Sequence, residues 1–503
     1  MTASREIILT TLNARYMHAA FGLRYLYANL GDWQADTEIV EFTIQEQALN
    51  IAETLLRYQP KIIGFSVYIW NVQEISDIVA VIKQVAPQTI IILGGPEVGH
   101  HPDVPSVCEQ ADFVISGPGE KSFRDLCEQL LAGNRPEQKF IEGQATKLDD
   151  LVLPYAFYND EDIRNRLIYV EASRGCPFKC EFCLSALDKT ATPFLLDPFL
   201  DEMEKLWQRG VRNFKFIDRT FNLKVTTSIR ILEFFLERMS DDLYLHFEVV
   251  PDNLPDKLKD VLKRFPPQSL QFEIGIQTFD PAIQTLISRK QNNAKTCENI
   301  RWLREHTGAH LHTDLIFGLP SDTLDNFADS FDQLVALNPH EIQLGILKRL
   351  RGAPLNRHTE DYDLRYNPQP PYNILSTRDI NFMQMQRVNR FARFWDMIGN
   401  SGRFINTLPI ILGESPFARF MQLSDRLYAL AGQSYKIALR RLFEMLYVVM
   451  TEDLGLDAER AKAQLKLDYS RADIKGIPDY EKLPSLNKKT KQGVANKRQR
   501  QHA

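Results

Sequence analysis

Three of the six cysteines fall within eight residues, at Cys176, Cys180 and Cys183 of the stretch RGCPFKCEFC. The spacing is C-x3-C-x2-C, and no fourth cysteine follows nearby. Thiolates are the preferred ligands of iron–sulfur clusters, and four cysteines ordinarily hold one. Three would leave one iron with open positions, in the sense that an open catalytic metal site differs from a closed structural one. Gly175 and Pro177 turn the chain around Cys176, and the short spacers let successive sulfurs face a common centre. Structural zinc would need a fourth ligand, and His18, His100 and His101 are remote in sequence. Cys108, Cys127 and Cys297 lie in helical stretches and read as small packed residues. Cys297 also keeps a rival reading open, as the fourth ligand of a closed cluster.

The elements that must position this loop form two α/β series. Runs at 5–12, 37–44, 61–69, 88–95 and 111–119 read as strands, with helical patterns between them. Strands that are apolar almost throughout, alternating with helices, predict a doubly wound parallel sheet over 1–135, with its ligand at the strand carboxyl ends. A linker is expected over 136–165. Strands are then expected at 166–172, 213–218, 243–249, 270–276, 310–316 and 341–346, six βα units that suggest a partial (β/α)6 barrel over 166–350. The cysteine loop follows the first of these strands, where a barrel carries a catalytic loop. A helical domain is expected over 351–475, with helices near 376–400 and 417–452, and a basic tail over 476–503.

With 503 residues, 44% of them hydrophobic, and a formal net charge of −5, the chain is composed like a soluble globular protein. That mild acidity disfavours a chain that coats nucleic acid along its length. MTASREIILT lacks a secretory signal, and no apolar run is long enough to cross a membrane. A cytoplasmic location is therefore expected, where clustered thiols serve metals or catalysis more often than disulfides.

SRGCPFKCEFC resembles the loop of the radical S-adenosylmethionine (SAM) enzymes, C-x3-C-x-aromatic-C, with Phe182 as the aromatic. The resemblance implies a 4Fe–4S cluster on Cys176, Cys180 and Cys183. SAM would chelate the open iron and be cleaved reductively to a radical that removes a hydrogen atom from substrate. Strand-end segments support it: Asp218 in FKFIDRTFN, Glu248 in FEVVPDNL, Glu273 and Gln277 in QFEIGIQTFD, and Asp314 in HTDLIFGLPSDT. Carboxylates and amides suit the ammonium, hydroxyls and adenine of SAM, and Arg289 could meet its carboxylate as a bidentate donor. For each, the plainer alternative is a strand-end polar group bonded to a neighbouring loop.

A doubly wound domain ahead of such a barrel resembles the cobalamin-binding module of B12-dependent radical-SAM proteins. The likeness rests on GFSVYIWN, LGGPEVG and SGPGE, each following a strand. These supply Ser66 and Asn71 as hydrogen-bonding groups and Tyr68, Ile69 and Trp70 as cover for the corrin. Gly94, Gly95, Pro96, Glu97, Gly117, Gly119 and Glu120 belong to the loops that glycine lets approach a large flat ligand. The D-x-H-x-x-G motif of many cobalamin modules is absent: ARYMHAAFG has Tyr16 where the Asp would be and Gly22 one place late. His18 therefore reads as an ordinary loop residue, and a His-off cobalamin is expected.

Together these cofactors imply a cobalamin-dependent radical SAM enzyme acting on an unactivated C–H or phosphorus centre, most simply by methyl transfer. The substrate would be a small molecule or peptide and the electron donor a flavodoxin or ferredoxin. Two rivals are an anaerobic oxidative cyclase and a non-catalytic cobalamin or iron–sulfur binding protein. A nucleic-acid substrate rests only on the tail KKTKQGVANKRQRQHA.

Overall fold

The structure is a computed structural model that describes residues 4–472, so the basic tail lies outside the described residues. Near-continuous apolar runs build the first sheet from β1 (Ile7–Asn13), β2 (Thr37–Thr43), β3 (Ile62–Ser66), β4 (Ile90–Gly94), β5 (Phe113–Ser116) and β6 (Phe140–Glu142). All pair in parallel, in the order β2-β1-β3-β4-β5-β6. One face packs Ile63, Phe65, Ile75 and Val79 into a core, and the other packs Leu9, Leu23, Phe113 and Phe123. The strand order reverses at β1 and β3, which opens a crevice at their carboxyl ends. β6 was expected to be linker. It is a three-residue edge strand with no fully buried residue, too short to show a period.

The later part of the expected linker, from Tyr155 on, is tightly held. Tyr155 and Tyr158 are buried, and their hydroxyls donate to the carbonyls of Glu171 (3.1 Å) and Tyr169 (2.8 Å). Buried Arg24 of the first domain pairs with Glu41 at 2.8 Å and with Asp162 at 2.7 Å.

The barrel begins with β7 (Ile168–Val170) and continues through Asn213–Phe216, Tyr244–Glu248, Leu270–Gln277, His310–Phe317 and Glu341–Ile346, paired in chain order and in parallel. Strict alternation along 270–277 buries Leu270, Phe272, Ile274 and Ile276 and turns Gln271, Glu273, Gly275 and Gln277 to the opposite face. The strand at 310–317 repeats this with His310, His312 and Asp314 on the polar side. Phe214, Phe216, Phe235 and Phe247 pack as one aromatic layer on the apolar side, with Phe216 and Phe247 ring centres 4.6 Å apart.

The chain forms two compact units, and the break falls at 385 rather than at the expected 351: residues up to 385 without 331–335, then 331–335 with the described residues from 386 on. The second unit is helical. Its core holds Phe391 between Phe331, Phe417 and Phe420 at 5.0–5.1 Å. The long helix expected over 417–452 is broken, because Gly432 takes a left-handed φ of 70° and ends Pro416–Ala431. Leu439–Val448 then resumes it. No helix among the described residues is long and apolar enough to cross a membrane.

Phe391→Ala is expected to cost about 3–5 kcal/mol through the cavity it leaves. Leu467→Ala, at a side chain 52% exposed, should change stability by no more than about 0.5 kcal/mol. Urea unfolding followed by far-UV circular dichroism checks both.

Candidate active site

The loop after β7 is shaped before any metal enters it. Gly175 sits at φ 90°, and a Cβ there would lie 2.4 Å from the Thr190 carbonyl oxygen, so the turn requires glycine. The Cys176 amide donates to the Asp188 carbonyl (3.2 Å) and the Cys183 amide to the Cys180 carbonyl (3.1 Å). Buried Asp218 accepts from the Ala172 amide (3.0 Å) and the Ser173 hydroxyl (2.6 Å), which fixes the residues leading into the loop. Burial pushes its carboxyl up to about 7, against those bonds. Asp218 therefore holds the neighbouring loop and is not part of the cavity described below, contrary to its expected contact with SAM.

Sequence reasoning passed over Glu181, between the second and third cysteines. Its carboxylate accepts from Ser288 Oγ (2.7 Å), from Arg357 Nη2 (2.6 Å) and Nε (3.0 Å), and lies 2.9 Å from His358 Nε2. Burial alone would raise this carboxyl, yet the bonds from Ser288 and Arg357 hold it below its usual range. All these partners lie more than 100 residues away in the chain, so no local pattern announces them.

The three cysteines are free and half-buried. Among the described residues no three His, Cys, Asp or Glu side chains are placed to grip a single metal ion. All three cysteines line one cavity. Burial pushes the Cys176 and Cys180 thiols up, and Arg289, with Nη1 at 3.6 Å from Cys180 Sγ, opposes the shift at Cys180.

Beside the thiols lies a cavity of about 260 Å³. It is lined by all three cysteines with Phe182, and by Glu248, Glu273, Gln277, Arg289 and Asp314, which the sequence had proposed. Glu273 is held down to about 2, chiefly by a 2.9 Å bond with His246, while Lys215 adds to this and burial opposes it. Asp314 is pushed up to about 8 by burial, with Glu273 and Glu248 adding to it. Asp314 Oδ1 and Gln277 Oε1 are buried without a hydrogen bond, as acceptors facing a cationic or hydroxyl-bearing ligand would be, although His312 Nε2 lies 3.5 Å from Asp314 Oδ1. Arg289 differs from expectation in one respect: its Nη2 donates to the Gly275 carbonyl and its Nε to Gln291 (3.1 Å), so its fork is already engaged. Arg219, not foreseen, donates from Nη1 to both oxygens of Glu248 at 3.0 and 3.1 Å. Cys297, on the helix Asn293–His306, is absent from the lining.

A second cavity, of about 930 Å³, opens at the β1/β3 crevice between the first domain and the start of the barrel. Ser66, Tyr68, Trp70, Gly94, Gly95, Gly117, Gly119 and Glu120 line it. Tyr68 and Trp70 stack at 4.4 Å and form a flat wall. Gly95 has φ 104°, and a Cβ there would lie 2.5 Å from the Val67 carbonyl oxygen. Ile69, Asn71, Pro96 and Glu97 do not line it. Asn71 instead fixes the loop, accepting from the Tyr68 amide (2.8 Å) and donating to the Leu12 carbonyl (3.0 Å). Glu97 is turned to Arg351. His18 does line the cavity, with Nδ1 2.6 Å from the Tyr169 hydroxyl. Ser185 and Arg219 line both cavities, so the two are neighbours.

Comparison with known families identifies the domains that carry the two cavities. Residues 7–127 match the B12 binding domain and residues 170–334 the Radical SAM superfamily. The chain thus carries a B12-binding domain followed by a radical SAM domain, and the cofactors of this pair are cobalamin, SAM and a 4Fe–4S cluster. Residues 360–503 further match a family described as Protein of unknown function (DUF4080). The chain is 26% identical to the cobalamin-dependent radical SAM methyltransferase TokK of Streptomyces tokunonensis, over 65% of this chain and 52% of that one. It is 22% identical to the 2-(S-pantetheinyl)-carbapenam-3-carboxylate methyltransferase of Streptantibioticus cattleyicolor, over 74% of this chain and 59% of that one. The chain thus spans about half the length of the first and under two thirds of the second. Its fold matches the cobalamin-dependent SAM radical enzyme OxsB with aqua-cobalamin and SAM bound (TM-score 0.61, 14% identity, 93% of this chain and 84% of that one).

Cys180→Ala should abolish the cluster, whereas Cys297→Ala should keep the iron and sulfide content of the reconstituted wild type; chemical analysis of both variants decides between an open and a closed cluster. Asp314 gives a pH signature. Its folded-state pKa is raised, so its contribution is most favourable below the unfolded value near 4 and is lost as pH rises towards about 8. The melting temperature of Asp314→Asn relative to wild type should therefore climb between these limits and level off above them.

Proposed function

We propose that this chain is a cobalamin-dependent radical SAM methyltransferase acting on an unactivated carbon or phosphorus centre of a small molecule or peptide. One observation carries the reading: a cavity bounded by a three-cysteine loop adjoins a cavity on a B12-binding domain, through Ser185 and Arg219. When bound, the cofactors supply hydrogen-atom abstraction and a transferable methyl group; the protein supplies placement and exclusion of water. Cys176, Cys180 and Cys183 would hold the cluster. Asp314 and Gln277, with orphaned acceptors, and Glu273, fixed as a carboxylate, would receive the ammonium and hydroxyls of SAM. Tyr68 and Trp70 would cover the corrin, and Gly94, Gly95, Gly117 and Gly119 would admit it closely.

The methyltransferase names of the relatives favour methyl transfer over an oxidative cyclisation. The six cysteines are all unpaired, which suits a reducing cytoplasm and a low-potential donor such as flavodoxin or ferredoxin.

The test uses the full chain, reconstituted anaerobically with and without hydroxocobalamin and supplied with SAM and a strong reductant. Release of S-adenosylhomocysteine only when cobalamin is present, alongside 5′-deoxyadenosine, is the expected result. Release of 5′-deoxyadenosine alone under both conditions would contradict methyl transfer and favour the cyclase reading.

A further inference from the structure

The segment LKRLRGAPLNRH, residues 347–358, follows the last barrel strand and lines neither cavity. At its start, Arg351 Nε meets Glu97 Oε1 at 2.9 Å, Arg351 Nη1 meets Asp103, and Arg349 Nη2 meets Asp103 Oδ2 at 2.6 Å. The Glu97 side chain is only 3% exposed, and Glu97 stands two residues beyond Gly95 in the wall of the larger cavity. Between these contacts Gly352 packs directly on the same loop. It has φ 75°, and a Cβ on it would lie 2.2 Å from His100 Nδ1. At the far end the Leu355 amide donates to the Glu181 carbonyl (2.9 Å), while Arg357 and His358 grip the Glu181 carboxylate inside the cysteine loop. The piece joining the two ends is itself folded, with Asn356 Nδ2 donating to the Leu350 carbonyl at 2.9 Å.

We propose that residues 347–358 are a brace that sets the position of the cobalamin-site loop relative to the cluster loop, with Arg351 and Arg357 as its positioning residues and Glu97 and Glu181 as the points they hold. The proposal rests on the cofactor assignment above. The Arg351–Glu97 pair is buried and recovers little net stability after desolvation, and Arg357, with its side chain 63% exposed, adds only a weak pair to buried Glu181, so the two on one short segment fit geometric control better than strengthening of the fold. Each end reaches a loop one or two residues from a cavity wall, and transfer between two cofactors is sensitive to displacements of about 1 Å.

The test compares the reconstituted full-length wild type with Glu97→Gln, Gly352→Ala and Glu181→Gln, loaded with iron, sulfide and hydroxocobalamin. Cofactor content is assayed first. Electron paramagnetic resonance then reads the enhanced relaxation of cob(II)alamin by the reduced cluster, which reports their separation, and the shift of the cluster signal on adding SAM. Glu97→Gln and Gly352→Ala are expected to keep cofactor content and lose part of the relaxation enhancement. Glu181→Gln is expected to keep cobalamin and lose the SAM-induced shift. Variants that melt earlier but match the wild type in both signals would overturn the brace. Should any fail to fold, Arg351→Lys and Arg357→Lys keep the charge while removing the fork geometry, and wild-type signals in both would overturn it equally. A wild type that takes up neither cofactor contradicts the cofactor assignment and the proposal together; variants that behave as a fully loaded wild type contradict the brace alone.

Discussion

Three thiols without a fourth can keep one corner of an iron–sulfur cluster open only if the protein, not the metal, sets the shape of their loop. Here that work falls to groups before and among the cysteines. Asp218 ties down the entry through the Ala172 amide and Ser173 hydroxyl, Gly175 supplies a left-handed turn, and Glu181 is held by Ser288, Arg357 and His358. Each bond to a charged carboxylate is stronger than a neutral one, and leaving any such group buried and unpaired would be costly. The loop is consequently part of the barrel's hydrogen-bonded frame, and the cavities take their positions from it.

The barrel's alternation gives the same frame its electrostatics. Most residues that face away from the helices on the fourth and fifth strands are polar or charged, and they crowd Glu273 and Asp314 beside Glu248. His246 and Lys215 satisfy Glu273, while Asp314 Oδ1 has no hydrogen bond, with His312 Nε2 nearby at 3.5 Å. A site with an unsatisfied carboxyl and amide next to three thiols is arranged for a ligand bearing an ammonium and hydroxyls. SAM would be such a ligand, and the neighbouring thiols would hold the cluster that its cleavage needs.

Much of this was legible in sequence because the signals were local. The cysteine spacing, the apolar strands of both sheets and the polar strand-end residues all follow from types at short separations. Residues in loops were harder. Asn71, Glu97 and Asp218 carry the right chemistry, but each spends it on the protein's own backbone or an ion pair, and only the fold decides which way such a side chain turns. Glu181 and Arg219 were missed for the converse reason: their partners are supplied by distant segments, with Arg357 lying 176 residues beyond Glu181. β6 escaped because three half-exposed residues show no period, and Gly432 broke a helix whose apolar pattern ran on past it.

The central claim is that the missing thiol is the place of SAM. The most direct measurement is the electron paramagnetic resonance spectrum of the reduced, anaerobically reconstituted protein, before and after SAM is added. A cubane signal that shifts on addition, in protein that keeps its cobalamin through desalting, is the predicted result. A signal indifferent to SAM would mean that the cluster is closed, and would contradict the account.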